Sequence, residues 1–338
     1  MDFKRNKLTG NIPIELGSLK KLVRLQFYQN NLTGGIPPSL GNASSLRALE
    51  MSFNNFVGNI PNEIGHLKSL FFFGAGSNNL SGTIPFALYN ISTMIIISIA
   101  ANRLNGTLPA NIGLTLPILQ YLSINSNQFS GPIPVSISNA SWLEFLDLSR
   151  NNFVGKVPTD LGNLLYVQIL GVGANNLGSN STKDLDFLTS LGNCTNLVEL
   201  AFADNNFGGS FPNSIGNLSK QLSALYMGAN QIFGTIPEAL ENLINLSILD
   251  MPENLFTEVA TEDGYNNDDH NDIEAVEERV LIENLSHMNS NVQKCLLSIF
   301  KISLACSLAA PNERIKMEDV TRELLRIKTD FLQVRIHE

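Results

Sequence analysis

The chain of 338 residues has few cysteines, an excess of acidic over basic residues and no long apolar run. Its three cysteines are too few for a disulfide framework, which excludes small disulfide-stapled domains. The longest apolar candidate, residues 94–101, is far shorter than the roughly 18 residues that a membrane span needs. With 22 basic and 31 acidic residues the formal net charge is −9, which argues against a nucleic-acid-binding protein.

Asparagine is abundant, and its positions follow a nearly constant period. The pattern Leu-x-x-Leu-x-Leu-x-x-Asn-x-Leu recurs along the chain at spacings of 24 or 25 residues, with a single spacing of 30. Its asparagines are Asn6, Asn30, Asn54, Asn78, Asn102, Asn127, Asn151, Asn175, Asn205, Asn230 and Asn254. Such self-similarity indicates a solenoid of stacked units, and this pattern is that of the leucine-rich repeat.

The physical chemistry of the unit explains its residue types. Apolar positions such as Leu143, Leu146 and Leu148 are expected to point into the solenoid, and the Leu-x-Leu stretch to form a strand of a parallel sheet. An asparagine amide offers two donors and two acceptor lone pairs, so it satisfies backbone groups where the chain leaves the strand. We therefore predict a structural ladder of Asn30, Asn54, Asn78, Asn102, Asn127, Asn151, Asn175, Asn205 and Asn230.

A second signature, Gly-x-Ile-Pro or a close variant, follows most ladder asparagines, as at residues 58–61 and 82–85. Glycine permits a turn at positive φ, and proline ends the local strand. The 24-residue unit with this turn resembles that of plant leucine-rich repeat receptor-like serine/threonine protein kinases. The resemblance implies a second short sheet and a superhelical twist. The expected fold is an α/β solenoid over residues 1–257: a right-handed leucine-rich repeat superhelix with a parallel concave sheet.

One repeat departs from the pattern, because residues 175–205 form an enlarged unit without the Gly-x-Ile-Pro turn. It resembles a repeat of the receptor subgroup that perceives bacterial flagellin and elongation factor Tu. Insertions in solenoids map to one face, so this one is either functional or merely tolerated.

The candidate ligand site lies on the concave sheet, six residues before successive ladder asparagines. Bulky apolar residues occupy this column in five consecutive repeats, about 5 Å apart, with small or polar residues two positions further on. Aromatic anchors with polar neighbours are typical of peptide and protein hot spots, although such residues also simply suit strands. The predicted ligand-binding residues are Phe72, Ile96, Tyr121, Phe145, Ile169 and Asp147.

Ten Asn-x-Ser/Thr sequons occur within the repeats, more than an asparagine-rich chain would produce by accident. Because the motif matters only in secreted proteins, the excess favours descent from an extracellular domain. The glycosylation candidates are Asn42, Asn90, Asn139, Asn193 and Asn217.

The chain changes character after the last repeat. Residues 258–291 are predicted to be a solvated linker, since positions 258–283 carry ten acidic residues and one basic residue. No calcium-loop motif is present there, so no metal site is expected. Residues 292–338 show the spacing of two amphipathic α-helices and resemble the last two helices of the kinase domain of the same receptors.

The motifs that kinase catalysis needs are not found: a glycine-rich phosphate loop, a strand lysine, His-Arg-Asp and Asp-Phe-Gly. We therefore expect no catalytic, cofactor-binding or metal-binding residues, and no enzyme activity. The predicted function is a non-catalytic module that binds a peptide or protein ligand, with a leucine-rich repeat co-receptor as a second partner and no nucleic acid.

The alternative is a receptor kinase whose signal peptide, transmembrane helix and catalytic core are missing from a truncated or mis-assembled gene product. The chain opens inside a repeat, and no apolar span separates the repeats from the kinase-like tail. The resemblance implies a plasma-membrane protein with extracellular repeats; the chain itself shows neither a leader nor a membrane span, which leaves its location open.

Overall fold

The computed structural model describes residues 1–257, so the linker predicted at 258–291 and the helices predicted at 292–338 lie outside the described residues. The described chain forms a solenoid whose main sheet has ten parallel strands in sequence order. We call it the concave sheet, because the sheet of a leucine-rich repeat solenoid lines the inner face. Its strands are Arg24–Gln26, Ala48–Glu50, Phe72–Gly74, Ile96–Ser98, Tyr121–Ser123, Phe145–Asp147, Ile169–Gly171, Glu199–Ala201, Ala224–Tyr226 and Ile248–Asp250.

The core is one continuous cluster that runs the length of the solenoid. The middle residue of each concave strand points into it, because side chains alternate along a strand. These residues are at most 1% exposed in the first nine strands: Leu25, Leu49, Phe73, Ile97, Leu122, Leu146, Leu170, Leu200 and Leu225. The predicted parallel solenoid with its repeating apolar interior is thus confirmed.

A second set of short strands follows the ladder asparagines, as the resemblance implied. Two strands, six strands and three strands form separate parallel sheets. Their members are Thr9–Gly10 and Asn31–Leu32; then Val57–Gly58, Asn79–Thr83, Arg103–Gly106, Gln128–Gly131, Asn152–Gly155 and Asn176–Leu177; then Gly208–Ser210, Gln231–Gly234 and Leu255–Phe256.

Short helices complete each turn of the solenoid. Two are α-helical, Ile112–Thr115 and Asp186–Ser190. The 3-10 helices are Ile14–Ser18, Pro38–Asn42, Asn62–His66, Leu88–Asn90, Val135–Asn139, Thr159–Asn163, Leu191–Asn193, Asn213–Asn217 and Glu238–Asn242. Within residues 1–257 none of these helices has the length and apolar content that a membrane span requires.

The Gly-x-Ile-Pro turn connects the second strand of a repeat to its helix. Gly58 has φ +79°, a left-handed conformation that costs glycine little. Ile60 is 3% exposed and packs into the core, and Pro61 occupies the N-cap of the helix Asn62–His66. This tetrapeptide therefore turns the chain out of its strand, adds a core side chain and leads into the helix.

Each ladder asparagine bonds its own turn to the preceding one, so the ladder as a whole joins every interior turn to both neighbours. The Asn78 Nδ2 group donates to the carbonyl oxygens of Ala75 and Gly76 in its own turn, both at 3.1 Å, and to that of Met51 in the preceding turn at 3.1 Å. Its Oδ1 atom accepts the N–H of Phe56 at 2.9 Å. Equivalent bonds recur at the other ladder positions, so every interior turn is held by one amide side chain.

The residue before each ladder asparagine adopts a left-handed conformation although it is never glycine. Phe53 has φ +58°, Ser77 +51° and Arg150 +54°. This conformation costs a residue with a Cβ atom about 1–2 kcal/mol. The ladder amide bonds the two carbonyl groups that precede the bend, and the strained residue itself donates to the next turn, as Phe53 N–H does to Gly76 O at 2.9 Å.

The enlarged repeat is organised by a buried carboxylate. Asp184, 3% exposed, accepts the backbone N–H groups of Ser179, Ser181 and Gly208 at 2.9, 2.8 and 3.2 Å. The insertion falls between the six-stranded and three-stranded sheets, whereas the concave sheet continues across it, with Ile169 paired to Glu199. The extra residues therefore lie away from the concave face.

We predict that Asn102→Ala lowers the free energy of unfolding by about 1–3 kcal/mol, because it leaves the Leu80 N–H and the carbonyls of Ala75, Ile99 and Ala100 without their partner. Urea unfolding followed by circular dichroism measures the loss. The exposed Asn152, changed to alanine in the same way, is the matched control. Equal stabilities of the two variants would contradict a structural role for the ladder.

We predict that Asp184→Ala destabilises the chain by at least about 2 kcal/mol, since three N–H groups lose a charged acceptor. The insertion should also open, so that trypsin cleaves after Lys183 faster than in the native chain. Asp186→Ala, which removes an exposed carboxylate from the adjacent helix, is expected to change neither property appreciably. Unchanged trypsin resistance in the Asp184 variant would refute the role given to the carboxylate.

Candidate functional site

The five apolar residues of the predicted stripe are aligned by the register of the concave sheet. Phe72 pairs with Ile96, Ile96 with Tyr121, Tyr121 with Phe145, and Phe145 with Ile169. Because the strands are parallel and in register, these side chains emerge from the same face about 4.8 Å apart. All five are half-buried, so part of each apolar surface remains open to solvent.

Other members of the same column differ from the stripe. A column on the open face of a sheet is expected to be exposed throughout, but Ala48 and Ala224 are only 5% and 6% exposed. Their short side chains are covered by larger neighbours, Phe72 among them, on the adjacent strands. The stripe is therefore bounded by the small Ala48 at one end and by the charged Glu199 at the other, whereas Ile248 at the last strand is 45% exposed.

Tyr121 and Phe145 form the centre of the stripe. Their rings stack with centroids 4.2 Å apart and planes at 11°. Such a pair contributes about 0.5–1.5 kcal/mol beyond its buried area, so the two rings hold each other in a fixed orientation. The result is one rigid aromatic unit that spans two adjacent strands.

Asp147 lies beside this aromatic pair, two residues after Phe145. Its Oδ1 atom accepts the Ser149 N–H at 3.0 Å and the Ser149 hydroxyl at 2.6 Å. A Cβ atom at Gly171 would lie 2.8 Å from the same oxygen, so the carboxylate extends over a strand that has no side chain there. Burial, and to a smaller extent the Asp147 charge, raise the pKa of the Tyr121 phenol.

The face around the stripe is made of small residues. Gly74 and Ser98 lie next to Phe72 and Ile96, and Ser123 follows Tyr121, where its hydroxyl donates to Asn125 Oδ1 at 2.8 Å. Gly74 leaves space for the Glu50 carboxylate, whose Oε2 atom is 2.5 Å from the position that a Cβ would take. The small residues therefore leave room for the Glu50 and Asp147 carboxylates, which lie over Gly74 and Gly171 beside the large side chains.

Two features of the surface were not found by sequence reasoning. A second stacked pair, Trp142 and Tyr166, has centroids 5.3 Å apart and planes at 2°, and the two residues are 50% and 47% exposed. They lie in the turns that precede two concave strands, at the repeat position nine residues before the ladder asparagine. At the other end of the concave sheet, Tyr226 lies near Glu199 and Asp250. The repeat alignment contains the signal for both, since Trp142 and Tyr166 share one repeat position and Tyr226 and Asp250 share another.

The five glycosylation candidates share one place in the repeat. Each is exposed and is the last residue of a 3-10 helix, 12 or 13 residues before the next ladder asparagine. They therefore form a row on the helical side of the solenoid. The candidates in this row are Asn42, Asn90, Asn139, Asn193 and Asn217.

Residues 1–257 contain no group of three His, Cys, Asp or Glu side chains that is able to hold a metal ion. Cys194 is fully buried, and burial raises the pKa of its thiol to about 11. It packs in the core as an apolar residue, and its Sγ donates to the Leu161 carbonyl oxygen at 3.6 Å.

Comparisons with known proteins agree with this architecture. The family model "Leucine Rich Repeat" matches residues 21–43, 45–67, 119–140, 142–164 and 196–218. Similar curated proteins include the LRR receptor-like serine/threonine-protein kinase EFR of Arabidopsis thaliana, 44% identical over 75 residues, and the receptor kinase-like protein Xa21 of Oryza sativa subsp. japonica, 45% identical over 67 residues. These alignments cover 22% and 20% of the chain, and 7% and 6% of the relatives' length.

Solved structures with the same fold include the plant peptide hormone receptor RGFR1 in complex with RGF2, at 31% identity and a TM-score of 0.65. PEPR1 with AtPEP1 has 34% identity and the same TM-score. Both superpositions cover 76% of this chain, and 43% and 38% of the respective receptors. The described part of the chain is therefore a leucine-rich repeat solenoid, similar in sequence and fold to plant receptor-like kinases and peptide receptors.

Proposed function

We propose that the concave face binds a peptide or an extended protein segment, and that the module has no catalytic activity of its own. The observation that carries the proposal is the aligned, half-exposed apolar stripe from Phe72 to Ile169 with the stacked Tyr121–Phe145 pair at its centre. Apolar side chains aligned across five strands form a continuous contact surface, and aromatic anchors supply much of the binding energy at protein interfaces.

Similarity to peptide receptors supports this proposal. The solved structures of RGFR1 with RGF2 and of PEPR1 with AtPEP1 are at least 31% identical to this chain and share its solenoid. We extend the proposal to the setting of such receptors: extracellular repeats at the plasma membrane, and a co-receptor with leucine-rich repeats as a second partner. The family model matches only residues of the solenoid, so it does not support the alternative of a receptor kinase.

The double variant Tyr121→Ala/Phe145→Ala is expected to weaken peptide binding at least about 10-fold, because hot-spot aromatics contribute about 2 kcal/mol or more each. The probe is a bead-bound library of synthetic dodecapeptides, screened with the fluorescently labelled full chain and followed by titration of the tightest peptides. The variant should still unfold cooperatively, at a somewhat lower temperature because it loses the ring stack and two half-buried side chains.

A matched control is Trp142→Ala/Tyr166→Ala, which removes a stacked aromatic pair of similar size from outside the concave sheet. This variant should bind like the native chain. If no peptide binds the native chain, or if the control loses as much affinity as the concave variant, the proposed site is wrong.

We also propose that the row of exposed sequons carries glycans, which leaves the concave sheet free for a ligand. After expression through a plant secretory pathway, peptide mass spectrometry is expected to find modification at Asn42, Asn90, Asn139, Asn193 and Asn217. Asn163 and Asn242 occupy the same repeat position but lack the Ser/Thr two residues on, so they should stay unmodified. Bare asparagines at all five sequons would contradict the proposal.

A further inference from the structure

The charges of the concave sheet are separated along the solenoid. Its first five strands contain Arg24 and Glu50, whereas its last five contain Asp147, Glu199 and Asp250 and neither lysine nor arginine. These three carboxylates lie on the sixth, eighth and tenth strands, so they recur at every second strand. The second half of the concave face therefore carries a carboxylate at every second strand, with Asp147 and Asp250 at one register position and Glu199 two residues before it.

Charges of the solenoid itself do not neutralise these carboxylates. Within residues 1–257 the structure contains one ion pair, between Lys4 Nζ and Asp2 Oδ2 at 3.6 Å, far from the three acids in sequence. Asp147 accepts hydrogen bonds only from Ser149 among the described residues, and Arg150 forms no ion pair with it. All three carboxylates are half-buried, so each remains partly accessible to a ligand.

Tyr226 lies between the last two carboxylates. It pairs directly with Asp250 on one side, while Ala201 on the other side belongs to the strand of Glu199. Burial raises the pKa of the Tyr226 phenol, and the charges of Glu199 and Asp250 raise it further, so both carboxylates act on this ring. An aromatic face between two carboxylates suits a cationic side chain, which gains cation–π attraction as well as charge pairing.

Apolar and acidic residues alternate on this part of the face. Asp147 follows Phe145 by two residues, and Asp250 follows Ile248 in the same way, so each acid and its apolar neighbour point to the same side of their strand. The apolar Ile169 lies on the seventh strand, between the strand of Asp147 and the strand of Glu199. A ligand that crosses the strands therefore meets apolar contacts and carboxylates in turn.

Resting on the proposed function, we infer that the ligand is a cationic extended peptide whose basic side chains are about three residues apart and contact Asp147, Glu199 and Asp250. Two strand spacings amount to about 10 Å across the sheet, and Glu199 is in addition offset by about 7 Å along its strand, a distance within the reach of a long arginine side chain. A polyproline-II-like segment advances about 3.1 Å per residue and brings every third side chain to the same side, which matches this interval. Apolar residues of the same peptide pack on the stripe.

The test uses fluorescein-labelled dodecapeptides, titrated with the full chain by fluorescence polarisation. One peptide carries Arg at positions i, i+3 and i+6 among Leu, Phe and Ser; a second has the same composition with adjacent arginines; a third has Glu in place of Arg. We expect the spaced-Arg peptide to bind at least 10-fold tighter than the Glu peptide and about 3-fold tighter than its isomer. Equal affinities for the Arg and Glu peptides would overturn the inference.

The matched variants are Glu199→Gln/Asp250→Asn on the concave sheet and Glu238→Gln/Glu241→Gln on the last 3-10 helix, which remove the same charge. Only the first double variant is expected to bind the spaced-Arg peptide about 10-fold more weakly than the native chain. The affinity of that variant should also depend less on salt concentration. A second outcome is that Tyr121→Ala/Phe145→Ala abolishes binding while Glu199→Gln/Asp250→Asn leaves the affinity unchanged. That outcome would overturn this inference but not the proposed function. Binding unaffected by both concave variants, or no binding by any peptide, would overturn both.

Discussion

The solenoid depends on one interaction, the four hydrogen bonds made by each ladder asparagine. Every turn of the chain must leave its strand through a left-handed residue, and none of these residues is glycine. The ladder amide bonds the carbonyls beside that bend and two backbone groups of the preceding turn, as Asn78 does with Met51 and Phe56. Because the same bonds offset the local strain and join the repeats, the ladder makes the stack cooperative.

The fold depends on fixed leucine and asparagine positions, which leaves other positions of the repeat able to contact a ligand. Leucine positions form the core and asparagine positions satisfy the backbone, so the residues that face outward on the concave sheet are less constrained by packing. They are arranged by register alone: a stacked aromatic pair in the middle, small residues around it, and carboxylates at alternate strands toward the last repeats. The exposed sequons lie in the helical row, and the enlarged repeat is likewise kept off the concave sheet by Asp184.

Much of this arrangement follows from the repeat period. A spacing of 24 residues places Tyr121 beside Phe145 and Asp147 beside Gly171, and the pairing of the strands agrees with that alignment. The left-handed residues could not be predicted, because Phe53, Arg150 and the others share no residue type. The Trp142–Tyr166 stack and the role of Asp184 also escaped prediction, since both depend on contacts between turns rather than on a motif.

By itself the sequence determined the parallel solenoid, its register and the location of the ladder, because a regular period requires every turn to repeat the same local structure. Tertiary structure decided how far each side chain of the concave column is exposed, which rings stack and where the insertion lies. These properties depend on the size of neighbours one turn away: Ala48 is covered by what surrounds it, whereas Ile248 is left open. A linear pattern specifies which residues are adjacent, but only packing decides how much of each surface remains available to a ligand.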